Sequence, residues 1–349
     1  MARRAKAEEP AADPLDAQHP RRTYHLKGQG KALAGAARAV RSGRPPQGWL
    51  IAGPPGVGKA TLAFRIARYL LRYGATAEGP ADLAVTSNDP VSSLVAAGSH
   101  PGLLLLKRAV SERTGKLMTV LSVDEIRRLA NFFGTTSATG GWRVAIIDTA
   151  DDMNDNAANA LLKALEEPPA RAMLLVISNA PGRLLPTIRS RCQRLDLRPL
   201  ALEDVESELA DRLPDMSPKE RASLARLSGG SIGLALQLAS GEGLMLAEAA
   251  DRLIEEARQP DAAAILALGE KIARITDGVE MFGVFLSQAL AARIAAKARA
   301  GAPCLNRWVA LRENLDAGFG RSTALNLEPR QTILSASHAL SKSARRDAL

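Results

Sequence analysis

Residues 48–73, GWLIAGPPGVGKATLAFRIARYLLRY, constrain the fold more than any other stretch of the chain. An apolar run of strand character, Gly48 to Ala52, leads straight into GPPGVGK, and apolar residues then recur at helical spacing. Strand, glycine-rich loop and helix in that order form a phosphate-binding loop. Gly53, Gly56 and Gly58 let backbone N–H groups turn inward with no side chain in the way, and the following helix points its positive end at the anion. Gly53, Pro54, Pro55, Gly56, Val57, Gly58, Lys59, Ala60 and Thr61 are therefore the candidate nucleotide-binding stretch, with Lys59 reaching the outer phosphates. A turn that only resembles such a loop is the bland alternative, and the ordered succession of three elements argues against it.

Four further apolar runs read as buried strands: LLLLKR (103–108), RVAIID (143–148), LLVISN (174–179) and CQRLDL (192–197). Helical patterns separate them, which implies an α/β fold with a parallel sheet covered on both faces and a loop site at the carboxyl ends of its strands. RPLALED (198–204) marks a boundary, and beyond it no strand pattern is convincing. The expected organisation is a disordered tail at 1–22, a P-loop domain at 23–199, a small helical unit at 200–240 and an all-helical domain at 241–349. Two cysteines far apart, Cys192 and Cys304, make neither a disulfide framework nor a zinc quartet and suit a reducing cytoplasm. No apolar run reads as long enough to span a bilayer. A net charge of +9 fits a polyanionic neighbour or scattered solvated cations equally well, and an aromatic content of 3% disfavours gripping single strands by base stacking.

The loop departs from its pattern at one letter. Ala60 stands where a Ser or Thr hydroxyl ligates Mg²⁺, and Thr61 is rotated away by about 100° along the helix. A second departure follows RVAIID. Asp148 ends a strand where a P-loop enzyme holds its metal, but the next residue, where a glutamate would activate water, is Thr149. Asp151 and Asp152 are near in sequence, though spacing alone gives them no claim to that role. Two losses in separate segments disable one reaction, so hydrolysis is expected to be gone.

Two later strings are more specific. NAANALLKALEEPP (156–169) is a helix with Ala157, Ala160, Leu161, Ala164 and Leu165 at core-facing spacing, stopped by Pro168 and Pro169. TIRSRC (187–192) follows it. Together with the loop, these resemble the bacterial clamp-loader AAA+ proteins of DNA polymerase III. The resemblance implies a P-loop AAA+ module, a helical lid at 200–240 and a helical collar at 241–349 through which subunits form a ring. It implies that Arg191 of the SRC string is an arginine finger reaching a neighbouring subunit's ATP site; the triplet taken alone would leave Arg191 one more solvated cation among Arg183, Arg189 and Arg194. Asn179, beside Ser178, falls where the family's polar nucleotide-sensing residue lies. The motor members (tau/gamma) keep the hydroxyl after the lysine, the acid after the aspartate and an arginine in the lid string GS-x-R. This chain reads GGSIGLAL, with Gly233 at that arginine.

Three missing catalytic parts and a retained finger look like a stationary clamp-loader subunit that does not itself hydrolyse ATP. The partners implied are tau/gamma ATPases, the delta subunit, the sliding clamp and primer-template DNA, with no membrane, in the cytoplasm. Lys59, the glycines and Asp148 leave both a loop holding ATP or ADP and an empty one open, with Mg²⁺ weak or absent. Relatives carry a four-cysteine zinc module between the loop helix and the Asp148 strand. No cysteine lies between Gly58 and Asp148, so no zinc is expected. The competing readings are an active AAA+ ATPase of the tau/gamma type, using Thr61 or a rearranged carboxylate, and a stand-alone nucleic-acid binder driven by charge.

Overall fold

The structure is a computed structural model. It describes residues 19–109, 118, 120–134, 141–239, 241–275, 277–301, 305–325 and 327–345. The tail to residue 18 and Cys304 lie outside the described residues. The chain divides into two compact units, one of residues up to 215 with 230–233, the other of 216–229 with 234–349.

In the first unit, α1 (Gly30–Arg41) precedes β1 (Gly48–Ala52), and the P-loop then opens α2 (Lys59–Tyr73). Next come α3 (Pro90–Ala97), β2 (Leu103–Leu106), α4 (Val123–Gly134), β3 (Arg143–Ile147), α5 (Asp155–Glu166), β4 (Ala172–Ser178), α6 (Pro186–Arg191), β5 (Gln193–Asp196) and α7 (Leu202–Arg212). All five expected strands are present, in the order β2-β3-β4-β1-β5, and every pairing is parallel. β1 and β4 are buried along their whole length, as a sheet covered on both faces requires. Alternation divides the side chains between two layers. Leu50, Ala145, Ile147, Leu174 and Val176 pack with Ile126 and Leu129 of α4, Ala157 and Leu161 of α5 and Ile188 of α6. Trp49, Ile51, Ile146 and Leu175 are buried on the other face, where α2 lies against the strands.

α5 starts where Asn154 accepts from the Ala157 N–H, a side-chain cap that satisfies one of the helix's orphan donors. Of the residues spaced for its core face, Ala157 and Leu161 are fully buried, while Ala160, Ala164 and Leu165 are partly buried against the same core. Ala158 joins them.

Residues 19–22, expected within the tail, pack instead on α2. Arg68, buried in that helix, donates to the Arg21 and Thr23 carbonyls at 2.6 and 3.1 Å, with its guanidinium 4.5 Å from the centre of the Tyr24 ring. Desolvation lowers the Arg68 pKa to about 10, so the side chain stays charged at neutral pH while satisfying backbone oxygens. Arg65, one turn earlier, donates to the Tyr24 carbonyl and pairs with Asp82 at 2.7 Å. Two buried guanidiniums thus tie the segment before the sheet to the helix behind the P-loop.

The second unit is helical among its described residues. α8 (Pro218–Leu227) begins with a capping box in which Ser217 and Glu220 satisfy each other's backbone N–H groups. α9 (Ile232–Ala239) starts in the first unit and ends in the second. α10 (Gly241–Glu255), α11 (Ala262–Ala273), α12 (Gly278–Arg299), α13 (Asn306–Leu325) and α14 (Pro329–Ala344) follow. α12 buries Phe282, Leu286 and Leu290, and Gly283 lets the Phe319 ring of α13 approach closer than any Cβ would permit. α12 is also long and apolar enough to cross a membrane by length and composition, with a mean hydropathy of 1.4 over its best window. That run was not anticipated, because Glu280, Arg293 and Lys297 interrupt it in the sequence while its middle stays apolar.

Candidate functional site

The P-loop begins where β1 leaves the sheet. Gly56 and Gly58 have φ of +73° and +98°, left-handed conformations that cost a side chain energy and cost glycine nothing. Gly58 also abuts Leu26, whose methyl would sit 2.9 Å from an added Cβ. Gln29 fastens the loop from behind. Its buried amide donates to the Val57 carbonyl at 3.1 Å and to the Arg198 carbonyl at 2.7 Å, while its oxygen accepts the Arg198 N–H.

Lys59 is 5% exposed, and its ammonium donates to the carbonyls of Gly53 and Pro54 at 2.8 and 2.5 Å. Burial lowers its pKa to about 8, against the raising influence of Asp148 and Asp151. Asp148 is held above the ordinary carboxylate range, chiefly by desolvation, with Lys59 opposing that shift. The lysine therefore faces its own loop, charge-balanced by the carboxylate at the end of β3.

Both aspartates beyond Thr149 are engaged by protein partners. Asp151 accepts from the Ser178 hydroxyl at 2.8 Å and from the backbone N–H groups of Asn179 and Ala180 at 2.5 and 3.2 Å. A carboxylate so engaged clamps the end of β4 to the turn after β3. Asp152 pairs with Arg108 at 3.3 Å and accepts from the Thr149 hydroxyl at 3.2 Å. Ser178 is fully buried and Asn179 is exposed, so only Asn179 of the two sensing candidates presents its side chain to solvent.

The lid glycine has a positive structural reason. The Gly233 N–H donates to the Gly56 carbonyl at 3.0 Å, and a Cβ on Gly233 would fall 2.9 Å from the Gly56 Cα. On the other side of the contact, a Cβ on Gly56 would fall 2.1 Å from the Ser231 hydroxyl oxygen. An arginine at 233 cannot adopt this arrangement. The loop glycines and Lys59 are the right groups for a phosphate, and Gly56, Gly58 and Lys59 would hold it. As the loop stands, Lys59 is engaged by two of its own carbonyls and the Gly233 N–H by the Gly56 carbonyl. A divalent ion is poorly served, since Ala60 offers no oxygen and Thr61 is buried.

Arg191 stands at the other end of the sheet. It closes α6 and precedes β5, whose Gln193 pairs with Trp49 at the start of β1. The P-loop follows Ala52 at the finish of β1, so the five-residue strand separates the two by about 16 Å. The Arg191 guanidinium is partly exposed, donates to the Thr187 carbonyl at 3.2 Å and pairs with Glu166 of α5 at 2.8 Å. Among the residues predicted from sequence, then, the structure gathers Gly53 to Thr61, Asp148 and Asn179 at one edge and sets Arg191 at the opposite one. Gln29, Asp151, Glu166 and Ser231 were not predicted. Their partners lie far away in the chain: Asp151 reads from sequence only as a candidate base, and Glu166 and Ser231 fall inside strings that point to other residues.

A family model described as DNA polymerase III, delta subunit, matches residues 28–201. The delta' subunit of DNA polymerase III from Pseudomonas aeruginosa is 40% identical over 197 residues, 56% of this chain and 56% of that one. The Escherichia coli delta' subunit is 33% identical over 204 residues, 58% of each chain. The Escherichia coli tau subunit is 29% identical over 237 residues, 65% of this chain and 34% of tau. The chain thus spans a little over half the length of the delta' relatives, and the residues matched by the family model contain the P-loop, the Asp148 strand and Arg191. The chain belongs to the delta' family of DNA polymerase III subunits.

Proposed function

We propose that the chain is a non-hydrolysing clamp-loader subunit of the DNA polymerase III assembly, which places Arg191 in the ATP site of an adjoining tau/gamma protomer. Through that assembly, with the delta subunit, it helps open the sliding clamp and set it on primer-template DNA in the cytoplasm. The observation that supports this reading best is the division of the sheet into two ends. The finger residue lies a full strand's length from its own P-loop, so it serves a second chain or no site at all. An arginine supplied in trans stabilises charge on the transferring phosphoryl group.

The carboxyl-edge site supports the non-hydrolysing half of the reading. Ala60 withholds the metal ligand, Thr149 is no base at neutral pH, and the neighbouring aspartates are engaged in hydrogen bonds and an ion pair. ATP or ADP would be held weakly there, because the phosphate must displace contacts the loop already makes. The structural part of this reading is tested by co-purification with a tau/gamma-type ATPase. Stoichiometric assembly supports it, and failure of the full-length chain to join such a complex removes it.

A further inference from the structure

We propose that Glu166 is a positioning residue for Arg191: it holds the guanidinium in the pose that a neighbouring active site receives. This inference rests on the reading of Arg191 as a finger in trans.

Three observations meet at this corner of the fold. The first is the ion pair itself, Glu166 Oε1 to the Arg191 guanidinium at 2.8 Å, joining two helices rather than successive turns of one. The second is the location of the carboxylate. Glu166 is the last residue of α5 and Glu167 is its C-cap. Carboxylates there face the negative end of the helix, where they are electrostatically unfavourable. Glu166 offsets that cost through its cationic partner. The third is the seat beneath the pair. A Cβ on Gly48 would lie 2.8 Å from Leu165, 3.3 Å from the Arg191 carbonyl and 3.4 Å from the Cys192 sulfur. A side chain at 48 would have to push the Leu165 tip aside and crowd the Arg191 carbonyl, so the glycine helps the ends of α5 and α6 close over the start of β1.

The hold leaves the guanidinium able to act. Of its five N–H donors, one goes to the Thr187 carbonyl and one to Glu166, so the remainder can meet phosphate oxygens. A partly exposed arginine otherwise samples many rotamers, and ordering it at the moment of reaction carries an entropic cost. Fixing it beforehand moves that cost out of the catalytic step.

The test is ATP turnover by the reconstituted complex carrying Glu166→Ala, Glu166→Gln, Arg191→Ala or both substitutions. Assembly is checked by co-elution, and kcat is separated from KM. Glu166→Ala should lower kcat about two- to five-fold with KM for ATP unchanged, the range expected of an exposed pair. Glu166→Gln, which keeps an accepting oxygen, should fall between the alanine variant and the parent. In the Arg191→Ala background, Glu166→Ala should have no effect. An unchanged or raised kcat for Glu166→Ala overturns the positioning role while leaving the finger intact. The same loss in both backgrounds also overturns it, because the residue would then act on the fold rather than through Arg191. If Arg191→Ala itself costs nothing, the finger reading fails and the positioning role fails with it.

Discussion

The two ends of the central sheet have been treated differently. At the carboxyl edge, the groups of an ATP site are present but turned inward: Lys59 binds its own loop carbonyls, Asp151 clamps β4, and Gly233 lies on Gly56. At the amino edge, Arg191 is partly exposed and held by the Thr187 carbonyl and Glu166. The same strands, β1 and β5, carry both ends. On the proposed reading, a P-loop fold can lose the chemistry at one edge and keep a catalytic group at the other, since the layers between them are fixed by packing and not by the reaction.

The sharpest way to break this comparison is to substitute one residue from each edge in the assembled complex. Arg191→Ala should slow turnover at the neighbouring site by about 10³-fold, within the range known for arginine fingers, while Lys59→Ala in the same chain leaves it unaltered. Steady-state and single-turnover assays would register the difference, and equal losses from both would erase the distinction between the edges.

Asp151→Ala tests how firmly the carboxyl edge is committed to structure. It strips the buried Ser178 hydroxyl and two backbone N–H groups of their acceptor, and a loss of about 3 kcal/mol in urea unfolding is expected. A loss near zero would leave that carboxylate available for chemistry. Gly233→Ala should cost less, about 1–3 kcal/mol, because a methyl must be forced against the Gly56 backbone. Neutral behaviour would show that the contact opens without penalty.

The smallest effect concerns pH. The Lys59 pKa is depressed to about 8 from 10.5, so the unfolded chain binds more protons between those values and stability from this group rises with pH across that window. From pH 7.5 to 9.5 the parent should gain about 1–2 kcal/mol relative to Lys59→Met in matched unfolding curves. The opposite slope would mean that the ammonium is stabilised by the loop rather than desolvated by it.

Much of this was legible in the sequence, and the remainder divides by range. The five strands, the P-loop and the α5 pattern are local, since each is set by residues adjacent along the chain or one helical turn apart. Arg191 was legible through the string that contains it. The clamp made by Asp151 was not, because its acceptors' partners stand on the end of another strand, and an aspartate two positions past Thr149 reads equally well as a base or a brace. Gly233 read as a missing arginine. In the structure it is a glycine required by backbone contact, which only the fold can reveal. Gln29 was equally silent, since one side chain joins residues 57 and 198 without any sequence periodicity. Residues 19–22 looked like tail by composition, and it is Arg68 of α2, 47 positions on from Arg21, that draws them in.

The central claim is that this P-loop has been retired from hydrolysis, and the most direct measurement is ATP turnover by the purified chain alone, with Lys59→Ala as the control. The account predicts release of phosphate indistinguishable between the two proteins and from buffer. A rate matching that of a tau/gamma motor subunit, abolished by Lys59→Ala, would contradict it.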